Sequence, residues 1–456
     1  VNRNLRLVLL ISIIASFVAF LDSSVVNVAL PAITRDMGGG LQVQQWVVDA
    51  YLLSLGSLIL LAGSLSDLFG RKRILTLGLL GFGFASILCA VAPTSLFLII
   101  SRGIQGIGGA LLVPSSLALI ISNFSGKDQS KAIGTWTAWT GIAFIIGPLL
   151  GGFLVDSLSW RFIFAINILP IIICLLLVNL LNLEDEPSSL RLDVKGAIFC
   201  TTGLLGTVFG LIEQPHYGWS SPVIYLPVVA GVLMLSFFVY YEKRIMNPIL
   251  PLSLFKIRNF SAGNITTVLL YGGLSIATFI IVVFLQQVSG YSALGAGLAL
   301  LPITIIMFFM SPRFGKLAGI YGPRLFMTAG PVIAGAGFIL MLRTHTYVSY
   351  FSQLFPGVIC FALGLSATVA PLTSAVLGGI APAQAGIASA LNNAISRIAG
   401  LITTAIIGLV VGNNLNVAGF HNALIFTACL LFIAGVISFI GIRNVKPGNS
   451  KLDILH

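Results

Sequence analysis

Gly63-Ser64-Leu65-Ser66-Asp67-Leu68-Phe69-Gly70-Arg71-Lys72-Arg73 packs one carboxylate, two glycines and three consecutive cations between two long apolar runs. Charges of both signs in a short break between hydrophobic segments belong at a membrane surface. A charged side chain at the bilayer centre costs about 2.5 to 3.5 kcal/mol even on the mildest scale. The stretch therefore separates two transmembrane helices and marks one side of a membrane.

The rest of the chain agrees with that reading. Of 456 residues, 57% are hydrophobic and only 8% charged, against roughly 25% charged in an average soluble domain. Apolar runs of about 20 residues, the length that crosses a hydrocarbon core as a helix, recur from end to end. Alternating ten-residue strand patterns of a membrane barrel are absent. The expected fold is an all-α polytopic membrane protein, rich in glycine (49 residues) because membrane helices approach closely through small residues. The first apolar run is too long for a signal-peptide core and is read as a retained helix.

A formal net charge of +11 raises the question of a nucleic-acid partner. The cations are scattered through short loops and form no basic patch, so no nucleic acid is expected. Cys89, Cys174, Cys200, Cys360 and Cys429 lie in apolar runs without paired spacing, which suggests neither disulfides nor a metal site. No Gly-rich loop with Lys-Ser/Thr cradles a phosphate, and the longest hydrophilic stretch, around Glu184 to Lys195, is too short to fold as a catalytic domain. The chain is not expected to be an enzyme or to carry a cofactor. Its energy source should be an ion gradient.

Polar and Gly/Pro breaks predict fourteen helices, near 6–33, 43–66, 74–92, 96–122, 130–155, 160–183, 195–213, 222–242, 260–286, 293–312, 324–342, 348–373, 385–411 and 422–442. With a cytoplasmic amino terminus, nineteen Lys and Arg fall in loops on that side and only Arg35, Arg161 and Arg343 on the other. That bias predicts that both termini are cytoplasmic and that the protein sits as a multi-pass chain in the cell (inner) membrane.

Gly63-x-Leu65-x-Asp67-x-x-Gly70-x-Lys72 is echoed by Gly315-x-Leu317-x-Gly319-x-x-Gly322-x-Arg324, 252 residues later. One copy follows the second helix and the other the tenth. The echo predicts two six-helix halves, 1–183 and 259–442, with an inserted helix pair within 184–258 and a tail, 443–456. Parallel repeats of this kind are a transporter architecture, with the substrate path between them.

Taken with three further motifs, the opening stretch resembles the major facilitator superfamily, in its fourteen-helix branch of drug:proton antiporters. Leu21-Asp22-Ser23-Ser24-Val25-Val26-Asn27-Val28-Ala29-Leu30-Pro31 resembles that branch's helix 1 signature. Arg102-Gly103-Ile104-Gln105-Gly106-Ile107-Gly108-Gly109-Ala110 resembles its helix 4 signature. Gly141 with Gly147-Pro148-Leu149-Leu150-Gly151-Gly152 resembles the helix 5 antiporter signature, followed by Trp160-Arg161 and Asn167. The resemblance covers the whole chain. It implies export of hydrophobic, cationic drugs in exchange for protons, by a monomer whose partners are the substrates, protons and the lipid bilayer. Export of an endogenous metabolite or lipid-linked compound is the alternative, and a transport-inactive sensor or scaffold is a more distant one.

Three ionisable residues carry the chemistry in this reading. At about 1.5 Å per residue, Asp22, Asp49 and Arg102 fall in one layer of the half of the membrane away from the termini. An ionisable residue within the bilayer is a functional-site hypothesis by default. Burial and a neighbouring arginine act on a carboxyl in opposite directions, so the set suits binding and release of a proton. A fixed ion pair with Arg102 is the competing reading for either acid. The two halves are unequal, since Asp453 is the only acid after Glu242. Glu213, at the end of the first inserted helix, is expected to be interfacial or capping, though it remains a third candidate for the proton.

The glycines of helix 5 present a smooth face, either for tight sealing or for ordinary packing. Gln105, Tyr51, Trp136, Trp139, Asn392, Asn393 and Arg397 are candidate cavity residues, because aromatic faces attract flat cations by roughly 0.5 to 2 kcal/mol. Trp46 fits that role or an interfacial belt. Arg397 either faces the cavity or pairs with helix-end carbonyls. The resemblance makes Gly63, Asp67, Gly70, Arg71, Lys72 and Arg73 a cytoplasmic gate, with Asp67 latching on the positive end of helix 13.

Overall fold

The computed structural model describes residues 3–444 apart from 182–191, 247, 382–383 and 413–414. Arg191 of the expected link and Asp453 and His456 of the tail lie outside the described residues. The chain is all helical, and fourteen helices among the described residues are long and apolar enough to cross a membrane. They are α1 (Arg3–Met37), α2 (Gly40–Phe69), α3 (Arg71–Ala90), α4 (Ser95–Asn123), α5 (Gly126–Ser157) and α6 (Phe162–Asn179). A hairpin follows, α7 (Val194–Tyr217) and α8 (Pro222–Glu242). The remainder are α9 (Arg258–Gln287), α10 (Ala293–Tyr321), α11 (Pro323–Met341), α12 (Tyr350–Leu377), α13 (Ala385–Val411) and α14 (Val417–Gly441).

The expected loop after the second helix is a single residue. Helix α2 runs on through Asp67 to Phe69, Gly70 turns the chain, and α3 begins at Arg71. Gly70 reaches this geometry at φ 94°, a region where a side chain is strained and glycine is not. Its echo behaves alike: Gly322, at φ 86°, is the one residue between α10 and α11. The sequence repeat is therefore a repeat of backbone joints.

The helices form two compact units. The first comprises Val1–Leu250 with Ser275–Leu301 and Gly400–Ala423. Its core is built from one face each of α1 to α4 and α6, with Val8, Ile11, Tyr51, Leu79, Phe82, Leu112 and Cys174 buried together. Glycines set the closest contacts. A Cβ at Gly106 would strike the Tyr51 carbonyl oxygen of α2, and one at Gly108 would lie 2.7 Å from the Phe82 amide of α3. The hairpin uses the same device, since a Cβ at Gly206 would lie 2.6 Å from the Pro227 carbonyl.

The second unit comprises Pro251–Leu274, Pro302–Ala399 and Leu424–His456. Its helices α11 and α12 meet through Gly330, Gly337, Gly357 and Gly364, each against backbone of the other helix. The start of α9 is tied to the end of α14. The Arg258 guanidinium donates to the Gly441 and Ile440 carbonyls, and Asn259 exchanges two hydrogen bonds with the Arg443 backbone.

Candidate functional site

The helix 1 and helix 4 signatures meet at one buried hub in the first unit. Asp22 on α1, Arg102 and Gln105 on α4, Ser86 on α3 and Asn167 at the turn within α6 are all at most 1% exposed. Arg102 Nη1 donates to Asp22 Oδ2 at 2.6 Å and to Gln105 Oε1 at 2.6 Å. The other carboxylate oxygen, Asp22 Oδ1, accepts from Gln105 Nε2 and Asn167 Nδ2, each at 2.8 Å. Ser86 Oγ accepts from both amides, at 3.0 Å and 3.4 Å, and passes its own hydrogen to the Phe82 carbonyl.

Arg102 also reaches α2. Its Nε donates to the Val47 carbonyl at 3.1 Å, and its guanidinium lies over the rings of Tyr51 and Phe164, 4.4 and 5.7 Å from their centroids. Buried charges persist only when paired and hydrogen-bonded, and both members of this pair are. The hub thus fastens α1, α2, α3, α4 and α6. Gly106 and Gly109 make it reachable, since side chains there would push α4 off the backbone and ring of Tyr51.

Asp49 stands apart. It lies two residues beyond Val47, fully buried, and neither carboxyl oxygen has a hydrogen-bond partner. Of the three ionisable residues expected in one layer, the structure joins Asp22 to Arg102 and leaves Asp49 unpaired.

The helix 5 glycines are divided by use. Gly147 faces Ser24 of α1, where a Cβ would lie 2.7 Å from the Ser24 Cβ, and Gly151 faces Val25. Gly152 faces a different neighbour, the Leu294 backbone at the start of α10, and Gly297 of α10 fits against the Pro148 carbonyl. No atom would obstruct a Cβ at Gly141. The sequence reading passed over Asp156, which completes this contact. Its two carboxylate oxygens accept from the Ala293 and Leu294 amides at 3.0 and 2.8 Å, where the positive end of α10 favours an anion. An acid just past a Gly-Gly helix face was the available signal.

At the other end of the helices, the basic stretch is a brace. Arg71 pairs with Asp67 at 3.2 Å with both side chains partly exposed. Lys72 Nζ donates to the Leu181 carbonyl just past the end of α6 at 2.5 Å. Its counterpart Arg324 donates through Nε to the Phe439 carbonyl near the end of α14 at 2.9 Å. In each unit the cation after the glycine joint thus holds the carboxyl end of a helix, the end whose dipole favours it. Arg73 is exposed, and no atom lies within 4 Å of a Cβ built at Gly63.

The candidate cavity residues divide between the two units. Gln105 and Tyr51 belong to the hub. Trp136 donates to Ser16 Oγ at 3.0 Å beneath the core, while Trp139 is exposed. In the second unit Asn392 donates to Asn264 Oδ1 and Thr267 Oγ1 at 2.9 and 2.7 Å. Asn393 and Arg397 are half-buried one turn apart on the same helix. Trp46 donates to Glu213 Oε1 at 2.8 Å, and Gln42 to Glu213 Oε2, so Glu213 fastens α7 to the start of α2.

Fourteen helices long and apolar enough to cross a membrane, with no strand among the described residues, make this a multi-pass membrane protein. The chain belongs to the Major Facilitator Superfamily, whose family model matches residues 12–404. It is 33% identical to the multidrug resistance protein Stp of Mycobacterium tuberculosis over 90% of this chain and 76% of that protein. It is 33% identical to the puromycin resistance protein pur8 of Streptomyces alboniger, over 88% of this chain and 81% of that one. A methylenomycin A resistance protein of Bacillus subtilis is 34% identical over 89% of this chain and 87% of its own length. Among solved structures, a D-xylose-proton symporter superposes with a TM-score of 0.69 at 14% identity, over 96% of this chain and 98% of that one. A bacterial homolog of the human lysosomal transporter Spinster gives 0.68 at 15% identity, over 97% of each chain.

Proposed function

We propose that this protein exports hydrophobic, cationic compounds in exchange for protons by alternating access, with Asp49 as the proton-carrying carboxyl. The observation that carries the reading is that Asp49 is buried with both oxygens unpartnered, whereas Asp22 has three donors. An isolated buried charge costs several kcal/mol. A protonated carboxyl bears no such charge, so Asp49 in this enclosed setting suits the proton-loaded step. When its site opens, the proton leaves and the cationic substrate supplies the compensating charge. Asp22 and Arg102 position the helices around it and keep a fixed pair throughout. The drug-resistance names of the relatives support drugs as the exported compounds.

In this reading the moving parts are the six-helix halves 1–183 and 259–442, and Asp67 is the latch released in each cycle. The protein acts as a monomer in the inner membrane with both termini cytoplasmic, and a proton gradient takes the place of any cofactor. The test is proton release on addition of a cationic substrate to purified protein, alongside exchange in inside-out vesicles. Asp49→Asn should bind substrate without releasing a proton and should lose gradient-driven exchange. Full proton release from that variant would refute the assignment.

A further inference from the structure

The base of the α7–α8 hairpin holds a second pair of acids that the transport reading does not use. Asp193 precedes α7 as its N-cap, and its Oδ1 accepts from the Gly196 amide at 2.9 Å. Glu242 is the last residue of α8, and its Oε2 accepts from the Leu250 amide at 2.8 Å. Both acids are buried, 8% and 2% exposed. Each therefore has one satisfied oxygen, and each has one that is not: Asp193 Oδ2 and Glu242 Oε1 lack any hydrogen-bond partner. The two orphan oxygens converge, because a Cβ built at Gly196 would run into both.

Among the described residues no cation pairs with either acid. From α7, Lys195 is exposed and Cys200 lies near Glu242. From α8, Tyr241 faces Asp193, Lys243 is exposed, and Arg244 turns away over the Tyr240 ring, 5.1 Å from its centroid. Two buried acceptor oxygens that face each other, neither of them hydrogen-bonded, lack one hydrogen. A calcium ion would want six to eight oxygen ligands, and only two are unengaged here.

We propose that Asp193 and Glu242 hold one proton between them, making the hairpin base a proton-binding site separate from Asp22 and Asp49. The proton bridges the first residue of the hairpin to its last. Through Leu250 it also fastens the chain that leads on to α9. Its loss leaves two buried like charges against each other, so the hairpin base opens as the medium becomes alkaline. Gly196 is required because any side chain there would occupy the meeting point.

The experiment uses full-length protein in lipid nanodiscs carrying Asp49→Asn, which removes the other unpartnered carboxyl. Infrared spectra are taken from mildly acidic to mildly alkaline pH, together with thermal unfolding midpoints. The parent should show a protonated-carboxyl band that vanishes as pH rises, with the midpoint falling in step. In Glu242→Gln, and separately in Asp193→Asn, an amide N–H takes the place of the shared proton. The band should be absent at every pH and that part of the midpoint's pH dependence lost. Asparagine retains the cap of α7, so the second variant folds even if the first does not. Persistence of the band in both variants, or unchanged pH dependence, would overturn the proposal. So would stabilisation of the parent at alkaline pH by sodium, magnesium or calcium, which would put a metal ion where the proton is placed.

Discussion

Arg102 Nη1 lies 2.6 Å from Asp22 Oδ2, with both residues at most 1% exposed, and the same guanidinium holds the Val47 carbonyl. Removing one partner of such a pair leaves a buried charge uncompensated, at a cost of about 3–5 kcal/mol. Asp22→Ala and Arg102→Ala should each lower the unfolding midpoint strongly. The double variant should lose much less than the sum of the two, as a thermodynamic cycle would show.

Asp49→Asn should behave in the opposite way. A neutral carboxyl without partners exchanges for an amide of the same shape, so stability should stay within about 1 kcal/mol of the parent near neutral pH. Substrate affinity in the parent should rise with pH as proton and substrate compete, and in the variant it should not depend on pH. Equilibrium binding of a fluorescent cation at several pH values checks both statements.

Within helix 5 the glycines should not be equivalent. Gly141→Ala adds a methyl group to open space and should leave transport unchanged. Gly147→Ala meets Ser24, and Gly152→Ala meets backbone at Leu294. Overpacking of that kind costs about 1–3 kcal/mol. Passive proton leak through proteoliposomes is the readout, and it should rise for Gly152→Ala.

Asp156→Ala removes the acceptor for the Ala293 and Leu294 amides. Loss of a capping carboxylate typically costs about 0.5–2 kcal/mol. Hydrogen exchange should speed up at the start of α10 and stay unchanged at the hub. Asp156→Asn, which still accepts hydrogen bonds, should recover part of the protection.

Much of the fold was legible because the bilayer permits few solutions: helix count followed from apolar length. The layer expected for Asp22, Asp49 and Arg102 rested on the rise per residue alone. What that rise does not contain is rotation about each helix axis. It left open which acid Arg102 would choose, and packing through Gly106 and Gly109 settled the choice on Asp22. The stretch around Asp67 read as a loop because its charges were visible and the positive φ of Gly70 was not. Asp156 passed unnoticed since its partners are backbone amides, which carry no signature in a sequence. Glu213 was expected to end its helix, which runs on to Tyr217, and its hold on Trp46 and Gln42 depends on where the hairpin docks.

The contact between α5 and α10 is main chain against main chain, at Gly152 with Leu294 and at Gly297 with Pro148. An exposed side chain changes rotamer within picoseconds to nanoseconds, whereas helices shift together over microseconds to milliseconds. A junction with no rotamers at its centre has no fast way to part. Any separation there has to move whole helices, so residues without side chains set this contact to the microsecond-to-millisecond range.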